Sequence, residues 1–356
     1  MSTEASFPMN FTFASSSEYF DDANDTSRVW SWHPLVWHWW LILQLMSAVT
    51  GMAGNLLVIL VLYKCRAASR STDILVGSMA TADLLASFLM IPLPVHRTVP
   101  VSTLGYVYCC FGGSNVLMWI CLGASTYSLV AISCDRYFAL VHPLQFKRHV
   151  TKGRVSSIVI LMWFIVSLLF GIPVFTSYGV DSSRNACSFL FNTDRAKAAY
   201  GCFIFLFRFI IPTLILTVTQ SSIAVVLHRE SKTFRKAVKG TQRSVHLAAR
   251  DHVIKLMLIV IIAFIICWLP SQIFFFGVNI GFISIKYFFT PTQYVCRIMA
   301  LCNSCLNPII YIVRHPNFRV ALGELFRRAD TTKAIGPIFE QNGVNLQNNV
   351  TISSII

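Results

Sequence analysis

Residues 256–285 read LMLIVIIAFIICWLPSQIFFFGVNIGFISI, a run without one charged side chain. A helix needs roughly 20 mainly apolar residues to cross the ~30 Å hydrocarbon core of a bilayer. This run is longer than that, so it predicts a membrane-spanning helix that tilts, kinks or projects beyond the lipid. Pro270 inside it removes a backbone donor and predicts a kink.

The same reading extends along the chain. Apolar stretches at approximately 38–64, 72–96, 107–141, 155–178, 198–228, 250–280 and 288–312 predict seven spans. With 55% hydrophobic and 12% charged residues among 356, and a mean hydropathy of +0.62, the chain holds more apolar surface than a soluble domain could bury. The fold class predicted is an all-α membrane protein, a seven-transmembrane helix bundle.

The formal charge of +14 would point to nucleic acid in a soluble protein, but its distribution points to a membrane. Most of the 29 Lys and Arg fall in alternate connections: Lys64, Arg66 and Arg70; Lys147, Arg148, Lys152 and Arg154; the segment from Arg229 to Lys255; and Arg314 to Lys333. This asymmetry places the C-terminus in the cytoplasm and the N-terminus outside, with membrane lipid and not nucleic acid as the partner of the basic loops. The expected organisation is a disordered extracellular tail (1–37), the seven-transmembrane domain (38–313), a short amphipathic eighth helix on the membrane surface (314–328) and a disordered cytoplasmic tail (329–356). In that eighth helix Phe318, Leu322, Leu325 and Phe326 recur at helical spacing.

No basic region followed by an apolar core opens the chain, so no cleavable signal peptide is expected. Asn10-Phe11-Thr12 and Asn24-Asp25-Thr26 match the glycosylation acceptor, which assigns Asn10 and Asn24 as glycan sites. Trp30, Trp32, Trp37, Trp39 and Trp40 cluster at the start of the first span, as indoles do at the headgroup level. Of the 11 cysteines most lie inside apolar spans; Cys109, Cys110 and Cys187 fall on the outer side, where one bridge is expected.

A charge at bilayer depth is costly, so each is a functional candidate. Asp83 lies in the middle of the second span, with Asn55, Ser125, Asn303, Ser304 and Asn307 available on other helices. Such a set can hold a small hard cation or keep a protonated carboxyl in a hydrogen-bond network. At the inner end of the third span, Cys134-Asp135-Arg136-Tyr137 places opposite charges side by side, where they can neutralise each other. In Asn307-Pro308-Ile309-Ile310-Tyr311, Pro308 frees a backbone carbonyl that Asn307 can satisfy. Cys267-Trp268-Leu269-Pro270 sets an indole beside the kink of the sixth span.

Taken together, these pieces resemble the rhodopsin-like (class A) G-protein-coupled receptor family over about residues 38–327. The carriers are Gly54-Asn55, Asp83, Asp135-Arg136-Tyr137, Trp163, Pro212, Cys267-Trp268-Leu269-Pro270 and Asn307-Pro308-Ile309-Ile310-Tyr311, one on each helix in order. The resemblance implies a receptor that passes an extracellular signal to a heterotrimeric G protein, with an arrestin and a receptor kinase as further partners, at the plasma membrane. It implies that Asp83, Ser125, Asn303 and Asn307 line an allosteric sodium site and that no other cofactor is used. It implies that Trp268 moves with ligand and that Arg136, flanked by Asp135 and Tyr137, rearranges with Asn307, Pro308 and Tyr311 to admit a G-protein helix. It also implies a disulfide from the top of the third helix to the second outer loop, Cys110 (or Cys109) to Cys187, with Cys110 assigned. Cys110 lies one residue further from Arg136 than is usual in the family, so either the two cysteines compete or the helix start is distorted. Arg250 and Gln220 depart from the family pattern at the inner ends of the sixth and fifth helices.

Met118 stands where amine receptors in the family carry an Asp, and Leu301 where opsins carry the retinal lysine, so neither a cationic amine nor retinal is expected. The outer half is aromatic and basic instead: Trp119, Phe205, Phe275, Phe276, Tyr287 and Tyr294, with Arg208, Arg297 and Gln272. The ligand pocket is assigned to Met118, Trp119, Arg208, Trp268, Gln272, Phe275, Tyr294 and Arg297, the two arginines receiving an acidic or carbonyl-rich ligand group. Residues 178–197 have the alternation of a β-hairpin, similar to that of peptide receptors, as is the stretch from Asp135 to Leu144. A neuropeptide or peptide hormone is the expected ligand; a lipid acid or a nucleotide is the rival. A seven-helix transporter or channel would need internal repeats or paired broken helices, which are not visible. No nucleophile, base and orienter group marks an enzyme.

Overall fold

The computed structural model of the protein describes residues 30–33, 35–64, 71–237, 241–284, 287, 290–314 and 323. Its chain order is β1 (Ser31–His33), α1 (Trp39–Lys64), α2 (Ser71–Leu89), β2 (Val95–Thr98), α3 (Thr103–Tyr108), a π-helical turn (Cys109–Gly113), α4 (Val116–Val141) and α5 (Pro143–His149). There follow α6 (Lys152–Ser177), β3 (Tyr178–Asp181), β4 (Ala186–Phe189), α7 (Asp194–Phe205), a second π turn (Leu206–Ile210), α8 (Ile211–Ala237), α9 (Thr241–Asn279) and α10 (Pro291–Arg314).

Six stretches among the described residues, Trp39–Tyr63, Thr72–Leu89, Thr103–Val141, Lys152–Ser177, Asp194–Val226 and Leu258–Asn279, are long and apolar enough to cross a membrane. The helix α10 packs between α1 and α9 as the seventh member of the bundle. Hydroxyl caps fix several starts: Thr151, Thr193 and Ser102 accept from the N–H groups of Arg154, Ala196 and Gly105. On α6, Ile158, Ile160, Leu161, Phe164 and Ile165 point outward and are more than half or about half exposed. In water such a face would be a liability; against acyl chains it is the required surface.

Three expectations are corrected. The second span ends at Leu89 and not at 96, because Pro92 and Pro94 lack N–H groups and restrict the residues before them. Gln44 donates to the carbonyl of Met90 at 2.7 Å and closes the shortened end. Beyond it, Val95–Thr98 pairs antiparallel with Ser31–His33, so part of the expected 1–37 tail is a strand. His96 is enclosed by the rings of Trp30, Trp32 and Tyr108, with Trp32 at 3.8 Å between centroids.

The third correction is the disulfide, which joins Cys109 and not Cys110 to Cys187, with the two Cα atoms 5.3 Å apart. The distorted helix start is the reason. In the π turn the Ser114 N–H bonds to the Cys109 carbonyl, which adds a residue per turn and rotates Cys109 toward β4. Cys110, equally buried, donates its thiol to the Tyr178 carbonyl at 3.5 Å. Asn115 then reverses into the left-handed region at φ 53°, which asparagine tolerates, before α4 begins. The expected hairpin is present as the antiparallel pair β3–β4, which packs beside the bridge.

Residues 1–29 and 34 of the expected tail, with Asn10 and Asn24 among them, lie outside the described residues, as do the segment between 315 and 328 apart from Gly323 and the cytoplasmic tail from 329.

The bridge gives a direct test. Replacing Cys109 with Ser should cost about 2–4 kcal/mol of stability and lower the amount of folded protein at the cell surface. Cys110→Ser should change stability by less than about 1 kcal/mol. Thermal unfolding of the purified variants in detergent checks both.

Candidate functional site

Two polar centres occupy the bundle, one at half depth and one toward the disulfide end. At half depth Asp83 is completely buried and accepts a hydrogen bond from Asn307 Nδ2 at 2.8 Å. Ser125 and Ser304 stand against the same carboxyl group, and Asn303 is buried on the same helix. The Asp83 Oδ1, Ser304 Oγ and Ser87 Oγ atoms are buried with no hydrogen-bond partner among the described residues. A buried carboxylate oxygen without a partner among the described residues, beside the hydroxyls of Ser125 and Ser304, is the donor chemistry of a small hard cation, so the residues fit a sodium ion.

The carbonyl freed by Pro308 is satisfied, but not by Asn307. It belongs to Ser304, one helical turn before the proline, and Asn55 Nδ2 of α1 reaches it at 3.0 Å while also holding the Gly51 carbonyl at 2.9 Å. Gly54 allows this contact, since a Cβ there would lie 2.9 Å from Pro308. Asn307 is thereby released to serve Asp83. Tyr311 lies in the last turns of α10. Trp268 is fully buried, one turn from Phe264, with its indole N–H unpartnered among the described residues.

At the opposite end from the disulfide, Asp135 takes a hydrogen bond from Thr72 of α2 at 2.7 Å. No ion pair involving Arg136 occurs among the described residues, and its side chain is half-buried, so the neighbouring charges do not neutralise each other by direct contact. Tyr137 packs edge-on to Phe138 and His142. One turn above, Gln220 donates to Ser133 at 2.6 Å and Ser133 is 2.7 Å from Thr219, a polar link between α4 and α8.

The second centre is a cavity of about 60 Å³ lined by Trp119, Phe170, Arg208, Gln272, Phe275, Gln293 and Arg297, among others. Arg208 is placed by the second π turn. There the Ile211 N–H bonds back to Leu206, and the next residue in that register, Pro212, has no N–H to offer. The Phe207 carbonyl left over accepts from Tyr127 Oη at 2.8 Å. Arg208 is turned inward and its guanidinium lies 4.6 Å over Trp119 and 4.5 Å over Phe170. Cation–π contacts of this kind are each worth about 0.5–2 kcal/mol when desolvated. The Arg208 Nε, Gln272 Oε1 and Gln293 Oε1 atoms are buried without hydrogen-bond partners among the described residues.

Of the residues assigned to the pocket, Trp119, Arg208, Gln272, Phe275 and Arg297 line this cavity. Met118 and Trp268 are buried in the core beneath it, and Tyr294 packs against Trp40 of α1. Phe170 and Gln293 were not foreseen. Gln293 precedes Arg297 by one helical turn, a polar pair on an apolar helix that the spacing alone could have flagged. Nothing in the sequence marks Phe170.

The family described as 7 transmembrane receptor (rhodopsin family) matches residues 54–311. The chain is 27% identical over 283 residues to the allatostatin-A receptor of Bombyx mori, covering 77% of this chain and 75% of that protein. It is 29% identical over 296 residues to growth hormone secretagogue receptor type 1 of Sus scrofa, covering 78% and 77%. It is also 27% identical to a melanopsin-like protein of Danio rerio, covering 78% of this chain and 56% of that one.

The aromatic seat of Arg208 depends on Gly123, where an added Cβ would lie 2.5 Å from the Phe170 ring. Gly123→Ala should displace that ring and destabilise the fold by about 1–3 kcal/mol, measured as a lower midpoint of thermal unfolding. Gly153→Ala, with nothing near its Cβ position, is the neutral control.

Proposed function

The chain belongs to the rhodopsin family of seven-transmembrane receptors and is a multi-pass membrane receptor, not an enzyme; on that premise we propose that its ligand is a neuropeptide or peptide hormone and its transducer a heterotrimeric G protein. The observation that carries the ligand assignment is Arg208. A buried guanidinium held between two aromatic faces in the wall of a cavity, its Nε–H without a partner among the described residues, is a site for a ligand carbonyl or acid group. Arg297 lines the same space and shares this role. The β3–β4 hairpin beside the cavity supports a peptide. So does the similarity to an allatostatin-A receptor and a growth hormone secretagogue receptor.

In this reading the tail and hairpin face the outside and the Asp135–Tyr137 end faces the cytoplasm, at the plasma membrane. Ligand contact at Arg208, Gln272 and Arg297 presses on the core at Met118 and Trp268, which lie beneath the cavity. From there the change passes to Asp83, Asn307 and Pro308. A sodium ion on Asp83, Ser125, Asn303 and Asn307 would stabilise the resting arrangement by charge. Arg136, which has no ion pair among the described residues, is the group a G-protein helix would meet. Arrestin and a receptor kinase would act on the same activated form.

A panel of peptides, lipid acids and nucleotides applied to cells expressing the chain, with G-protein activation as readout, tests the ligand class. Activation by acids or nucleotides alone rejects the peptide. Arg208→Ala or Arg297→Ala should weaken agonist potency by roughly 10- to 100-fold, the equivalent of about 1.5–3 kcal/mol for a charge-assisted hydrogen bond. Unchanged potency in the Arg297 variant removes it from the site. Arg136→Ala should abolish nucleotide exchange while leaving agonist binding intact.

The cation site has its own measurement. Replacing N-methylglucamine chloride with sodium chloride should lower agonist affinity in membranes, and Asp83→Asn should erase that difference.

A further inference from the structure

A buried polar chain between α4 and α8 belongs neither to the half-depth centre nor to the cavity. Gln220 Nε2 of α8 donates to Ser133 Oγ of α4 at 2.6 Å, and Ser133 Oγ lies 2.7 Å from Thr219 Oγ1 of α8. The Thr219 hydroxyl donates to the carbonyl of Ile215 in its own helix at 2.8 Å, so the Ser133 proton goes to Thr219. Each hydroxyl therefore accepts one bond and donates one, and the chain is complete from the amide to the backbone. All three side chains are buried and lie within stretches that cross the membrane.

An apolar side chain in place of Gln220 would pack against α4 with no polar group to satisfy, whereas an amide at this depth is tolerated only while it is paired. Apolar contact between α4 and α8 competes with acyl chains on nearly equal terms, so the polar chain is what makes the seat of α8 on α4 specific. It also gives that seat two settings. If α8 withdraws, the Gln220 amide and the Ser133 oxygen lose each other, and water has to enter to serve them. A dry joined arrangement and a wet parted one satisfy both groups; a half-opened one satisfies neither.

Ser133 lies one helical turn before Arg136 on α4. In that stretch α4 is gripped by α2, through the Thr72 bond to Asp135 at 2.7 Å, and by α8, through this chain. We propose that the Gln220–Ser133–Thr219 chain is a brake: joined, it holds the inner half of α8 against α4 beside Arg136 and limits nucleotide exchange without agonist; parted, it lets α8 withdraw. The proposal rests on the G-protein reading above. Gln220 is a position at which the sequence departs from the family pattern, so the brake is a property of this chain.

The test needs no agonist. Membranes from cells expressing the full-length chain at matched surface abundance are mixed with purified heterotrimers of each Gα class and a non-hydrolysable GTP analogue, and uptake is compared with receptor-free membranes. Gln220→Leu, Ser133→Ala and Thr219→Val should each raise uptake about three- to tenfold. Gln220→Leu combined with Ser133→Ala should rise no further than the larger single effect; a rise equal to the product of the two overturns a common chain. Ser222→Ala, whose hydroxyl donates within its own helix to Val218, should change nothing. If Gln220→Leu does not reach the surface, Ser133→Ala and Thr219→Val, which each remove one oxygen, carry the test. Wild-type uptake above the receptor-free level, with the variants equal to it or below it, overturns the brake and leaves the G-protein reading in place. A lower midpoint of thermal unfolding in these variants without a rise in uptake overturns it likewise, leaving the chain a structural role alone. No uptake with any heterotrimer, in wild type or variant, overturns both.

Discussion

A carboxylate that cannot reach water organises the middle of this molecule. Inside lipid no solvent is present to satisfy a polar group, so each one must find a partner on a neighbouring helix. Asp83 of α2 finds Asn307 of α10, and Asn55 of α1 closes the backbone gap made by Pro308. Three helices are thus joined by two amide side chains at one proline. Trp163 and Ser128 tie α6 and α4 to the same helix α2 through Ser78. Apolar packing among lipid-facing helices is nearly indifferent to register, since acyl chains compete on equal terms. These few polar contacts set the register that packing alone would leave loose.

Two π turns do a second kind of work. Each adds one residue to a helix and thereby re-aims a side chain that an α-helical count would point elsewhere. The first turns Cys109 toward the hairpin, and the second turns Arg208 toward the cavity. In both cases the irregular backbone is closed by a neighbour, Ser114 donating to the Cys110 carbonyl and Tyr127 to that of Phe207. The binding end is therefore shaped by local departures from helix geometry, while the half-depth centre is shaped by ordinary helices and their side chains.

That division explains what could be read from the sequence. The seven helices and the hairpin were legible, because apolar length, prolines and alternation act locally. The set around Asp83 was legible too, since a charge in an apolar run announces itself wherever it lies. The choice of Cys109 over Cys110 was not, because it turns on one added residue that composition does not encode. The early end of α2 required weighing Pro92 and Pro94 against an apolar run that continues past them. Asn55 took the task assigned to Asn307 because it approaches Ser304 across a helix interface, over a gap of 249 positions in the chain. Arg208 was identified as buried and basic, but its aromatic seat on Phe170 depends on a contact with α6 that no spacing rule reveals.

The short ladder between Ser31–His33 and Val95–Thr98 has a mechanical meaning. The helices α1 and α2 are consecutive in the sequence, so the chain joins them at one end; the ladder fastens the same pair at the other. Backbone from β1 to β2 is therefore a closed ring, buckled by aromatic side chains packed around His96 and by the Ser31–Thr98 hydroxyl contact at 2.7 Å. A ring resists splaying at either rim, so these two helices travel as one stiff plate. Helices α8 and α9, which pack on each other, carry no such ladder among the described residues.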